Sequence, residues 1–193
     1  MQIIQTERLL LRPFTPDDLP AILRIYGDVQ TNTYLPWFPI QTMEEAREFY
    51  EKRLSPKALG SHAIQWAICP IEIGEPFGYV GVERTGAHDF GYGLRSDCQG
   101  NGYMTEAASA IVHTLRKAGI PFITATHDRN NPRSGAVMRR IGMKYGYSYR
   151  ERWMPKDISV VFRLYQLNLD GQERPFYSGY WNRYADHFIE ALE

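Results

Sequence analysis

The sequence predicts a mixed α/β chain built around one sheet. Three observations lead there: two amphipathic helix patterns between Thr15 and Leu54, a set of short apolar segments punctuated by Gly and Pro after His62, and a return to alternating helix and strand patterns from Tyr103 onward.

The elements follow in order. Thr6 to Phe14, TERLLLRPF, is rich in apolar residues, ends at a proline and turn, and reads as a first strand. In TPDDLPAILRIYGD, Thr15 supplies a cap, Pro16 suits the first helical position and Asp18 favours the helix N-terminus, while Leu19, Ile22, Leu23 and Tyr26 share a face. The second helix, TMEEAREFYEKRL, opens with the capping-box pair Thr42 and Glu45 and spaces Met43, Ala46, Phe49, Tyr50 and Leu54 along one side. Between the two, the aromatic and proline-rich TNTYLPWFPI is either a substrate-side lid or apolar packing under a long loop. HAIQWAIC, FGYVGVE and DFGYGLR read as an antiparallel meander. Then come helix YMTEAASAIVHTLRKAG, strand PFITATHD, helix PRSGAVMRRIG and strands KYGYSYRER and ISVVFRLYQLNL. The last stretch, YSGYWNRYADHFIEALE, reads as an amphipathic helix offering Tyr180, Tyr184, His187, Phe188 and Leu192 to one side.

No composition shift marks a domain boundary within the 193 residues, and 44% hydrophobic with 23% charged residues is the balance of a globular protein with a sizeable core. The 22 Lys and Arg balance the 22 Asp and Glu, and no basic stripe tracks a phosphate backbone, which argues against nucleic acid as a partner. MQIIQTERLLLRPF has no uninterrupted apolar h-region, and no run approaches the roughly 20 apolar residues of a membrane span, so the expectation is a cytoplasmic protein without a membrane partner. Cys69 and Cys98 lie too far apart for a metal knuckle or a CxxC redox pair; no metal site is expected, and both read as reduced thiols.

The stretch SDCQGNGYMTEA carries the chemistry. Met104, Ala107, Ala108, Ile111, Val112 and Leu115 mark a buried helical stripe, with Gly119 as a natural stop. Directly ahead of it, Gly100 and Gly102 can take dihedrals barred to other residues and expose bare backbone N–H groups beside the positive end of the helix. Strand, glycine turn and helix N-terminus make an anion site, although neither GxxxxGKS nor GxGxxG fits. A tight connection that binds nothing is the alternative for a GxG alone.

Taken together, GLRSDCQGNGYMTEA and, one strand later, NNPRSGAVMRRIGMKY resemble the acetyl-CoA-binding core of the GNAT N-acetyltransferases, and TERLLLRPFTPDDLPAI is similar to the branch containing the ribosomal-protein alanine N-acetyltransferases. The resemblance runs from Ile4 to Leu169. It implies a mixed, mostly antiparallel sheet of about seven strands, splayed into a V near its middle with acetyl-CoA held in the opening. It also implies an N-acetyltransferase domain over 1–170, with 171–193 as a helical extension packed on it.

The same resemblance assigns residues. Leu94, Arg95 and Ser96 match the strand end whose backbone pairs with the amides of the pantetheine arm. Gln99, Gly100, Asn101, Gly102, Tyr103 and Met104 match the pyrophosphate loop, with Thr105 at the helix start; Asn131 and Ser134 match the Asn-x-x-Ser site near the thioester, with Met138 one turn beyond. Asp97 departs from the pattern, standing where the family usually has Gln or Arg, and an acid beside a pyrophosphate is repulsive unless it points away.

In the family, a primary amine attacks the acetyl thioester directly. That requires a neutral amine, an oxyanion donor, here a backbone N–H of Leu94 to Ser96, and a proton for the departing thiolate. Glu83 is the first candidate base, against the alternative of a solvated strand-end carboxylate. Many relatives carry a tyrosine acid where this chain has Met138, so Ser134 is the first candidate acid, ahead of Tyr145. The acceptor is an amine, either a protein or peptide N-terminus or a small molecule; Tyr34 to Phe38 and FYSGYWNRY offer aromatic surface for it or for a dimer contact, in a monomer or a homodimer. Two rivals stand beside this reading. One is a Cys98 nucleophile with a base among His62, His88, His113 and His127; the other is a silent acyl-CoA-binding module.

Overall fold

The computed structural model describes residues 3–84 and 86–192. Five strands run antiparallel in chain order, β1 (Ile4–Gln5), β2 (Leu9–Arg12), β3 (Ala63–Pro70), β4 (Gly78–Glu83) and β5 (Phe90–Leu94). Four more, β6 (Phe122–Asp128), β7 (Lys144–Trp153), β8 (Ile158–Asn168) and β9 (His187–Phe188), pair in the order β6-β8-β7-β9, also antiparallel. The halves meet where β5 and β6 begin, in a parallel bridge between Asp89 and Thr124. There Thr124 donates its N–H to the His88 carbonyl (3.2 Å) and its hydroxyl to that of Ala87 (2.9 Å). Past this bridge no ladder joins the two strands, which makes it the hinge of the expected splay.

The helices are α1 (Leu19–Tyr26), entered through a 3₁₀ turn at Pro16–Asp18, then α2 (Val29–Asn32), α3 (Met43–Phe49), which runs on as a π-helical stretch over Tyr50–Leu54, and α4 (Pro56–Leu59). After a 3₁₀ turn at Ser96–Cys98 come α5 (Tyr103–Lys117), α6 (Pro132–Arg140) and α7 (Gly179–Arg183). The capping box of α3 forms as expected, with Thr42 Oγ1 accepting from Glu45 N at 3.2 Å and Glu45 accepting from Thr42 N at 3.2 Å. The expected first strand, Thr6 to Phe14, is shortened to β2. A turn at Thr6–Arg8, closed by Thr6 N–H on the Leu9 carbonyl (2.9 Å), separates β1 from β2.

Alternation along the strands divides the core. Leu9, Leu11, Trp66, Ile68, Val80, Val82, Phe90 and Leu94 point to the face packed by the apolar stripe of α5 and by Met138 of α6. Ala67, Cys69 and Tyr79 point to the other face, against Ile22, Ile25 and Tyr26 of α1 and Ala46 of α3. On that second face the four-stranded half carries an aromatic cluster around Tyr147, Tyr149, Phe162 and Leu164. Trp37 and Ile40 of the proline-rich loop pack on the α1 cluster, so part of this loop is apolar packing.

The long C-terminal helix read from the sequence is not formed. Helical geometry stops at Arg183, and His187 and Phe188 pair as strand β9 with Tyr149 and Ser148 of β7. The aromatic spacing is real but serves other contacts: Tyr180 and Tyr184 lie stacked near Tyr149, with centroids 5.1 and 4.8 Å away, and the backbone of the tail covers a strand edge that a helix would leave bare. Glu190 fastens the tail, its carboxylate accepting from Arg163 Nη2 and from Ser148 Oγ, each at 2.5 Å.

Candidate active site

The glycine turn has the geometry its sequence requires. Gly100 and Gly102 lie at φ +86° and +79°, in the left-handed region, and a Cβ at Gly100 would meet nothing within 4 Å. Gly102 is the N-cap of α5, and no side chain caps that helix among the described residues; Glu106 N–H on the Gly102 carbonyl (3.1 Å) closes the first helical turn. The N–H groups of Tyr103, Met104 and Thr105 are thus the first-turn donors of a helix fifteen residues long, where the dipole favours an anion. The Met104 side chain turns into the core, so this residue offers backbone alone.

Two arginines missed in the sequence brace the loop. Arg8 pairs with Glu106, donates to the Asn101 carbonyl (3.1 Å) and lies 4.6 Å from the centroid of the Tyr103 ring. Arg133, on α6, reaches Gln99 Oε1 at 3.5 Å from the other half-sheet. Both contacts span long stretches of chain, which is why no local pattern revealed them. Asn101 folds back toward the Gln99 carbonyl (3.3 Å), and Gln99 Nε2 donates to the Leu94 carbonyl (3.1 Å).

Asp97 is neutralised in place. Arg95 grips it through Nε–Oδ1 (2.7 Å) and Nη2–Oδ2 (2.8 Å), a bidentate pair that holds the carboxyl below its usual range. The thiol of Cys98, by contrast, is pushed up by burial and by its hydrogen bond to Asp97 (3.4 Å), the opposite of what a thiolate nucleophile needs. Cys98→Ser is therefore expected to keep full activity in any acyl-transfer assay; loss of turnover would restore the cysteine reading.

The strand end differs from the expectation in detail. Glu83 N–H on the Asp89 carbonyl (3.0 Å) and Arg95 N–H on that of Phe77 (2.9 Å) show that the odd-numbered residues of β5 face β4, so Tyr92 and Leu94 aim their backbone groups toward the gap. Of the three residues proposed to pair with a ligand, Arg95 has its N–H taken by Phe77. Ser96 has its N–H taken by Asp28 Oδ2 (2.7 Å), and the Leu94 carbonyl accepts from Thr31 Oγ1 (2.8 Å) and Gln99. What remains for strand addition is the Leu94 N–H and the backbone of Tyr92, one pleat further in. Asp28 anchors this corner, its burial offset by hydrogen bonds from Ser96 and Thr31 that keep its pKa low.

Across the gap, Asn131 caps α6 by accepting from Ser134 N (3.3 Å). The Ser134 hydroxyl donates to the phenol oxygen of Tyr92 (3.1 Å), which itself donates to the Ser134 carbonyl (2.8 Å), so these two residues tie the half-sheets together. Burial raises the Tyr92 phenol well above its ordinary value. Met138 is 1% exposed and belongs to the core rather than to the lining of the cleft. Tyr145 is tied to the tail instead of to Ser134: its hydroxyl accepts from Glu190 N (3.0 Å) and shares a hydrogen bond with Ser148 Oγ (2.9 Å).

On the opposite face the floor of the gap is open at Gly91 and flanked by Gln65 and Tyr79. Gly81 and Gly91 stand opposite each other, with nothing within 4 Å of a Cβ built on Gly91, and the Tyr79 ring lies against Gly93. Glu83 and Asp89 end the groove on the same face, Glu83 exposed and Asp89 half-buried. Lys156, in the β7–β8 hairpin, donates to the carbonyl (2.6 Å) and Oδ1 (2.7 Å) of the buried Asn32 on α2, a strap from one half of the molecule to the other.

A split sheet with an uncapped helix N-terminus at its open end has the geometry to take an extended anionic ligand between its halves. The profile of the acetyltransferase (GNAT) domain family matches residues 8–144. An uncharacterized N-acetyltransferase, YnaD of Bacillus subtilis, is 30% identical over 148 residues, 73% of this chain and 82% of its own. The chain belongs to the GNAT acetyltransferases. Its fold is shared with a GNAT acetyltransferase of Bacillus anthracis (TM-score 0.74, 24% identity, 88% of this chain and 99% of the other). It is also shared with RimL, a ribosomal L7/L12 alpha-N-protein acetyltransferase in complex with coenzyme A (TM-score 0.77, 21% identity, 89% of this chain and 100% of the other). Among the described residues no helix is long and apolar enough to cross a membrane, and no group of three or more His, Cys, Asp or Glu is placed to hold a metal ion.

Proposed function

We propose that this chain transfers the acetyl group of acetyl-CoA to a primary amine by direct attack on the thioester. The single observation that carries the reading is the uncapped, glycine-led N-terminus of α5 opening onto the gap between β5 and β6. First-turn N–H groups of Tyr103, Met104 and Thr105, with Gly100 and Asn101, hold the pyrophosphate; the Leu94 N–H and the Tyr92 backbone pair with the pantetheine amides as an added strand. The amine arrives from the other face, over Gly81 and Gly91, where carboxylates and aromatic rings suit a cation. Ser134 gives the departing sulfur its proton, and Tyr92 fixes the rotamer of that hydroxyl.

A thiol-release assay with acetyl-CoA over free amino acids, peptides with free N-termini, aminoglycosides and polyamines tests the reading; turnover with one class supports it. Tight acetyl-CoA binding with no transfer to any of them would leave a silent binding module in its place. In the active case, Ser134→Ala is expected to lower kcat about a hundredfold with little change in acetyl-CoA affinity. An unchanged kcat would remove Ser134 from the chemistry.

A further inference from the structure

We infer that Asp89, rather than Glu83, is the base that takes the proton from the acceptor ammonium. The inference rests on the N-acetyltransferase reading above and assigns one residue of its chemistry.

Asp89 stands at the hinge of the two half-sheets, where its backbone bridges to Thr124 and accepts from Glu83 N–H. By parity along β5 its side chain shares the face of Gly91, which is open, and of Gly93, against which the Tyr79 ring lies; an acceptor would lie over the open part of this floor. Its Oδ1 is buried and has no hydrogen-bond partner, which is rare for a carboxylate and costly unless something else repays it. The groups that face it are Glu83 on β4, Tyr149 on β7 and Tyr180 on α7. None is a cation. Burial first, and the Glu83 charge second, push Asp89 up to about 7, which matches a base working near neutrality. Glu83, exposed at the strand end, lacks such surroundings.

The proton balance is as follows. The acceptor enters as an ammonium, and Asp89 takes one proton to free its lone pair. The nitrogen then bonds to the thioester carbonyl carbon, the C–S bond breaks, and the nitrogen's second surplus proton passes through Ser134 to the thiolate. The products are the amide and the free thiol. The proton on Asp89 returns to solvent.

The test uses the full chain. With the best amine from the thiol-release panel, Asp89→Asn is expected to lose at least about a hundredfold in kcat while calorimetry shows acetyl-CoA affinity within threefold of wild type. The acid limb of the wild-type pH profile, placed near 7, should vanish in Asp89→Asn and persist in Glu83→Gln, moved to lower pH by the loss of the Glu83 charge. Asp89→Asn should also unfold at a higher temperature than wild type above neutral pH. A folded pKa above the unfolded one means that stability is lost as pH rises through that interval, and the amide does not ionise. Asp89→Asn retaining kcat within fivefold, or Glu83→Gln taking the loss and the acid limb, would overturn the assignment. A wild-type protein silent toward every amine would instead overturn the N-acetyltransferase reading itself, and this assignment with it.

Discussion

Gly102→Val is expected to weaken acetyl-CoA binding at least about a hundredfold, about 2.7 kcal/mol, while the protein stays folded. The residue sits at φ +79°, where a β-branched side chain is strained by roughly 1–3 kcal/mol, and the backbone relieves that strain by leaving the left-handed region. Space is not the issue, since the nearest atom to a Cβ there is Arg8 Nη2 at 3.6 Å. The loss arises because Gly102 sets the direction in which α5 begins, so a change in its dihedrals turns the N–H groups of Tyr103, Met104 and Thr105 away from a common point. Isothermal calorimetry with acetyl-CoA, alongside far-UV circular dichroism, checks both halves of the expectation. Affinity unchanged in a folded variant would remove the loop from the binding site.

Glu190→Ala is expected to destabilise the fold by about 2 kcal/mol, lowering Tm by roughly 4–8 °C, and to depress turnover without altering acetyl-CoA affinity. Glu190 is largely buried, and its pKa is held low first by Arg163 and then by the Ser148 hydroxyl against the pull of burial. Its removal leaves the part-buried Arg163 guanidinium without its carboxylate partner and Ser148 with only its hydrogen bond to Tyr145. The consequence for turnover comes from the tail: Tyr180 and Tyr184 stack beside Tyr149, next to the β7–β9 pairing, and in the function proposed above they lie on the side from which the amine arrives. Because the pair forms only with Glu190 ionised, its contribution falls away as pH drops below the ordinary carboxylate range. Thermal melts and steady-state kinetics on the variant measure the two effects. A loss of kcat with no change in Tm would separate the wall from the clasp.

Much of the fold was legible because period and punctuation agreed. The stripe Met104 to Leu115 with its preceding glycines and Gly119 fixed α5 from both ends, and Asn131 with Pro132 fixed the start of α6. The C-terminal segment misled for a physical reason. Its aromatics recur at helix-like intervals, but the open edge of β7 and the ring of Tyr149 compete for the same residues, and tertiary pairing prevails over local period. At the site, Gly100 and Gly102 were readable because a positive φ is a property of the residue itself. Arg8, Asp28, Tyr92 and Asp89 were not, because their roles come from partners far away in the chain, such as Glu106 for Arg8 and Ser134 for Tyr92. The Arg95–Asp97 pair was not legible either: the two lie only two residues apart, but adjacency in sequence does not show which way two side chains turn.

The clasp of the tail also governs what the sheet presents to other molecules. β7 lies between β8 and β9, and residues 187 and 188 pair with it at Tyr149 and Ser148. A molecule whose tail has come undone bares those backbone groups beside the rings of Tyr147 and Tyr149. In that state it is most open to pairing with a neighbour, and docking of the tail ends it.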